Sequence, residues 1–136
     1  MSKSNTTETD FLSYTFISTP FSWDSYNSLF ISLHTGDPAD SGNQSTLEAD
    51  YGSYARVSVP RSVVGWTVSG NTSQNAALIQ FPQSSGGSNL ITHVAIGLSS
   101  SGPTQILYSG QLNSSLTVTN LIQPQFSVGA LQIQED

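Results

Sequence analysis

The chain contains no cysteine, so neither a disulfide nor a thiolate metal site can hold it, and a small domain must rely on its core or on partners. Cations are nearly as scarce. Lys3, Arg56 and Arg61 stand against nine acidic residues, for a net charge of -6 and a pI near 4.4. Three cations cannot neutralise a run of phosphates, which makes nucleic acid and anionic membranes poor partners. Long apolar runs are missing too, the longest being Ala76 to Ile79, so the sequence predicts neither a membrane span nor a signal peptide.

What is there is neutral polarity: 25 Ser, 13 Thr, 10 Gln and 8 Asn, with 36% hydrophobic residues and only 9% charged. Such a chain is too apolar and too weakly charged for charge-driven disorder. At 136 residues it fits one domain that hides about two thirds of its unfolded surface. Ser, Thr and Asn suit the exposed faces of strands and their turns, whereas exposed helix faces usually carry Glu, Lys and Arg. Helices are therefore disfavoured.

From residue 29 onward, short apolar segments recur between Gly, Pro, Asn and Ser clusters, the spacing of an all-β sandwich. About eight strands are predicted: 29–35, 54–60, 64–68, 76–82, 90–98, 104–112, 115–119 and 126–134. Alternation turns Val64, Trp66 and Val68 inward, and likewise Val94, Ile96 and Leu98. Ile106, Tyr108 and Leu112 form another inward set. A change of phase after Gly129 suggests a bulge in the last strand. The stretches 36–45, 69–75 and 99–103 read as turns. The fold class expected is all-β, a jelly-roll-like antiparallel sandwich over 29–136, with an immunoglobulin-like sandwich as the alternative.

Residues 1–28 differ, holding six of the thirteen aromatics: Phe11, Tyr14, Phe16, Phe21, Trp23 and Tyr26. Either Leu12, Tyr14 and Phe16 form a further strand of the sandwich, or the segment is an arm that docks on a partner. If a partner covered Phe11, Phe16, Phe21 and Trp23 fully, they would contribute roughly 6 to 12 kcal/mol. Arg56 is expected to point outward beside Tyr54, a pairing common at protein interfaces, unless it is a strand arginine balanced by Glu48 or Asp50.

Familiar catalytic motifs are absent. The sequence has no G-x-G-x-x-G, P-loop, H-E-x-x-H or G-x-S-x-G, and nothing in the spacing of His34, His93 and 25 serines selects a Ser-His-Asp set. The segment His34 to Asp40 brings a histidine and two carboxylates together, yet Asp37-Pro38 is a routine turn starter and calcium loops space more oxygen ligands more tightly. No enzyme activity, metal or other cofactor is expected.

Six stretches carry a resemblance: LFISLHTGDPADSG (29–42), YARVSVPR (54–61), GWTVSGNTSQNAALIQFP (65–82), ITHVAIG (91–97), ILYSGQL (106–112) and PQFSVGALQI (124–133). In this order and spacing they resemble small tailed-phage virion proteins, in particular the jelly-roll cement, or decoration, proteins outside HK97-type podophage capsids. The resemblance implies a protein made in the bacterial host cytoplasm that sits on the outer capsid surface. Its partner there would be the major capsid protein, whose neighbouring copies it bridges, self-associated as a dimer or trimer on the shell's symmetry axes. It supplies no catalytic motif to carry over. A tail fibre or receptor-binding module gripping host carbohydrate through exposed aromatics is the alternative.

Overall fold

A computed structural model describes residues 1–136. Ten strands and one helix run in the order β1 (Ser2–Lys3), α1 (Asn5–Ile17), β2 (Ser28–His34), β3 (Val57–Pro60), β4 (Trp66–Ser69), β5 (Thr72–Asn75), β6 (Ile79–Gln80), β7 (Asn89–Gly97), β8 (Ile106–Val118), β9 (Gln125–Phe126) and β10 (Gln132–Gln134). All pairings are antiparallel. A five-stranded sheet, ordered β1-β8-β7-β2-β3, is faced by a three-stranded sheet, β10-β5-β4, and a two-stranded ribbon, β6-β9. The protein is an all-β sandwich with an N-terminal arm.

The core lies between these layers. Ile31, Leu33, Val94 and Ile96 reach in from the large sheet, and Ile79, Phe81, Leu131 and Ile133 meet them from the small ones. Ile31 is paired with Ile96 and Leu33 with Val94, so period-two alternation puts all four on one face. At Gly97 an added Cβ would fall 2.1 Å from Gln44 Cδ, which is why the end of β7 tolerates no side chain.

Several expectations change. The predicted strands 104–112 and 115–119 are one strand, β8, because pairing with β7 resumes at Leu116 opposite Ile91 after a bulge that leaves Asn113 and Ser114 without partners. The last predicted strand is instead broken into β9 and β10 by a turn in which Ala130 N–H returns to the Ser127 carbonyl. Gly129, at φ +78°, belongs to that turn and not to a bulge. Residues 72–75, expected as turn, form β5, the centre of the three-stranded sheet. Its polar side chains disguised it. Val64 falls in the turn before β4 and is exposed, and Val68, on the same face of β4 as Trp66, is 73% exposed because the two sheets part there, so only Trp66 is packed against the core.

The largest departure is α1, since helices were disfavoured and Leu12, Tyr14 and Phe16 read as alternating strand residues. Ser4 is its N-cap, accepting the Thr7 N–H, and Ser18 closes it in the left-handed region at φ 57°. A run with four threonines between these caps has weak intrinsic helix propensity. Tertiary contacts hold it: the buried Ser4 and Thr7 hydroxyls both donate to the Ile106 carbonyl, at 2.6 and 2.8 Å, and Gln105 donates to Thr7 Oγ1 and Asp10 Oδ2. No helix is long and apolar enough to cross a membrane.

Candidate interaction surface

The anchors of α1 all lie in its first two turns. Its far end carries Phe11, Leu12, Tyr14, Phe16 and Ile17, all exposed, with Phe16 at 78% and Ile17 at 72%. After the Ser18 cap the chain returns along the helix, and Phe21 inserts beside it. Phe21 stacks on Tyr14 and on Trp23, both at 4.6 Å between centroids, and meets Phe11 edge-on at 5.0 Å. Offset and edge contacts of this kind stabilise an aromatic cluster beyond the area they bury. Arg61 fastens the return by donating from Nη1 to the carbonyls of Trp23, Asp24 and Tyr26.

The arm is also tied down at its start. Lys3 Nζ donates to Glu135 Oε2 at 2.7 Å, and the Tyr108 hydroxyl donates to Glu135 Oε1, joining the two chain ends over β8. Burial by itself would raise the Glu135 carboxyl, but the bonds from Lys3 and Tyr108 outweigh it and hold the group below its ordinary value. The Tyr108 phenol is pushed up by burial and by that same carboxylate.

Of the interface candidates read from sequence, Phe11, Tyr14, Phe21 and Trp23 come together in this cluster, while Phe16 stands out from it. Trp23 is buried within the chain and Phe21 half-buried, so neither retains the full surface once assigned to a partner. Tyr54 and Arg56 belong to the sandwich. Tyr54 packs edge-on to Tyr51, and its hydroxyl accepts the Leu33 N–H at 3.1 Å; burial pushes its pKa up. Arg56 does not point outward: its side chain is 2% exposed and forks onto Glu48. The balancing partner named from sequence, Glu48, is the one found.

Leu12 and Ile17 were missed as surface residues. Leu12 and Phe16 lie four residues apart, as do Ser13 and Ile17, so a helical reading of 5–17 from the Ser4 cap would have placed them.

One internal arrangement has the look of chemistry. Ser32 Oγ lies 2.8 Å from His34 Nε2, and His34 Nδ1 lies 2.8 Å from the Thr46 carbonyl. Both residues are wholly buried, and Ser32 Oγ also accepts from Gln44. The set is sealed on the face of β2 opposite the core, beneath the segment that carries Gln44 and Thr46. Burial lowers the His34 pKa despite the raising effect of the Thr46 carbonyl. Asp37, in the same segment, is exposed and caps its own turn by accepting the Ala39 N–H, so the suspected ligands diverge. No three His, Asp or Glu side chains are grouped as a metal site would need.

Residues 2–134 match the profile of the family described as podophage GP4 fiber I protein gp80. The chain belongs to that family. As a gp80-family chain it is a phage virion structural protein, and the resemblance to podophage virion proteins holds at that level. Capsid decoration is a narrower statement than the family description makes. No curated protein matches the chain.

Proposed function

We propose that this chain is a subunit of an external podophage fibre, which acts by binding protein and attaches through the far end of its arm. The observation that carries this is the exposure of Leu12, Tyr14, Phe16 and Ile17 on one short helix, in a segment with no charged residue from Phe11 to Trp23. Leu12 and Phe16, four residues apart, share one side of the helix, and so many large apolar side chains left exposed at one end of a folded chain mark an interaction site. The family description supports the fibre assignment.

The energetics favour assembly of several copies. Covering Leu12, Phe16 and Ile17 contributes about 1.5 to 3 kcal/mol each, against roughly 4 to 15 kcal/mol lost on association. A single arm sits near break-even, and firm attachment needs neighbouring copies engaged together. Outer capsid decoration, bridging major capsid proteins, is the second reading, and the resemblance of residues 29–133 supports it.

An image reconstruction of purified virions, with a count of copies, separates the two. Density on the tail at a few to a few dozen copies is expected for a fibre, and hundreds on the capsid lattice would move the protein to decoration. Virions produced with F16D/I17D are expected to lack the protein. Normal incorporation of this variant would remove the arm from the attachment surface.

A further inference from the structure

The sandwich gapes on one side. Between the large sheet and the three-stranded sheet lies an open groove of about 690 Å³, walled by Leu29, Trp66, Val68, Ile96, Leu107 and Ile133. Arg61 and Val63 stand at its rim, Val63 at 89% exposure. The arm of the same molecule does not enter it. Lys3 moors the start of the arm to Glu135, which also lines the groove, and Ser4 and Thr7 fix the direction of α1, whose tip remains in solvent. One chain thus displays an apolar projection and an apolar recess at once.

The two surfaces also match in polarity. Trp66 Nε1 is buried in the groove wall with no acceptor, and the Nε and Nη2 groups of Arg61 make no hydrogen bond within the chain. The rim therefore has free donors in the exposed Arg61, whereas Trp66 Nε1 is covered and out of a partner's reach. The tip of α1 has surplus acceptors: the carbonyls of the last helical turn have no intrahelical partner, the capping bonds both fall on Ser13 O, and no basic side chain sits in that turn. A helix C-terminus also carries partial negative charge, which suits the Arg61 rim. Elsewhere the acidic surfaces of two copies repel, with Lys3 and Arg56 already committed to Glu135 and Glu48.

We infer that the tip of α1 from one copy docks in the groove of the next, joining copies of this chain head to tail. The contact uses two different patches, so it generates a ring or an open file of subunits and not a two-fold dimer. The inference rests on the arm being a docking element and names its partner as a second copy. The apolar side chains of the tip offer on the order of 400 Å², about half of one partner's share in a standard interface. Each junction is weak, and association depends on concentration.

Sedimentation velocity on the purified full chain tests this, from micromolar to millimolar concentration. The wild type is expected to associate. F16D/I17D, with a blocked tip, and V68D, with a blocked groove, are each expected to stay monomeric, and all three substituted side chains are exposed enough for both to fold. Mixed in equal amounts, the two variants should form a dimer and nothing larger, because one supplies a working groove and the other a working tip. A wild type that stays monomeric throughout, an F16D/I17D chain that associates as well as wild type, or a mixture that forms no dimer overturns the inference. If the wild type stays monomeric and F16D/I17D is still lost from virions, only the head-to-tail junction fails. If the mixture dimerises and F16D/I17D enters virions normally, the attachment reading fails instead.

Discussion

Arg56 and Glu48 meet as a fork, with Arg56 Nη2 2.6 Å and Nε 2.9 Å from the two carboxylate oxygens and the arginine side chain almost wholly covered. The guanidinium also donates to the carbonyls of Ser99 and Gly102. It thereby pins the 99–104 loop to the start of β3.

Removing that cation leaves Glu48 with little solvent and two loop carbonyls without their donor. Arg56→Ala is expected to cost about 3 to 5 kcal/mol, the range for breaking a buried pair from one side. Arg56→Lys should recover only part of this, because an ammonium cannot make the planar fork. Urea unfolding measures both, and a loss below about 1 kcal/mol for Arg56→Ala would show that the pair is dispensable.

Asn75 joins the two small-sheet strands to the turn that separates β9 from β10. Its side chain accepts the Leu131 N–H and donates to the carbonyls of Ala77 and Ser127, with no exposure to solvent. Asn75→Ala should cost at least about 2 kcal/mol, since buried groups lose their partners, and Asn75→Asp more, since a carboxylate would face two carbonyls. The exposed Asn71→Ala serves as the comparison and should stay within about 1 kcal/mol in thermal unfolding. Equal losses at the two positions would contradict the assignment.

Burial holds the His34 imidazole neutral below its ordinary value. A folded pKa below the unfolded one means that the unfolded chain takes up the proton first, so stability is level above about pH 6.5 and declines as pH falls below it. Glu135 adds its own loss only lower, as pH drops through the ordinary carboxylate range toward its depressed value. Unfolding free energy followed downward from neutral pH should therefore fall first in the histidine window, and His34→Gln should flatten that segment while leaving the carboxylate segment in place. An unchanged slope in His34→Gln would exclude His34 as its source.

Thr7 donates to Ile106 O and accepts from Gln105, and it is the buried residue of α1. Thr7→Val keeps the volume and removes the hydroxyl, which should cost about 0.5 to 1.5 kcal/mol. Hydrogen exchange is expected to show faster opening across residues 5–17 with little change in β7. Uniform acceleration in both would mean that the arm and the sandwich open as one unit.

Composition and alternation determined the class of this protein. Abundant Ser, Thr and Asn with few charges specified strands, and the apolar runs of β2 and β7 were visible because both bury side chains in one shared core. The six quoted stretches pointed to a podophage virion protein, and the aromatic excess before residue 28 marked the arm. Tertiary structure decided the rest. Residues 5–17 are a helix because Ser4 and Thr7 find the Ile106 carbonyl about a hundred positions away, a bond that no local window contains. Strand β5 was hidden because Thr72 to Gln74 carry none of the apolar pattern that marks a strand, although its backbone pairs on both sides. The groove exists only where two sheets separated in sequence fail to close on each other, and Arg56 turned inward because Glu48 and a distant loop supply its acceptors. Local sequence sets propensity and pattern, while contacts between remote segments set which of those side chains meet and which are left for a partner.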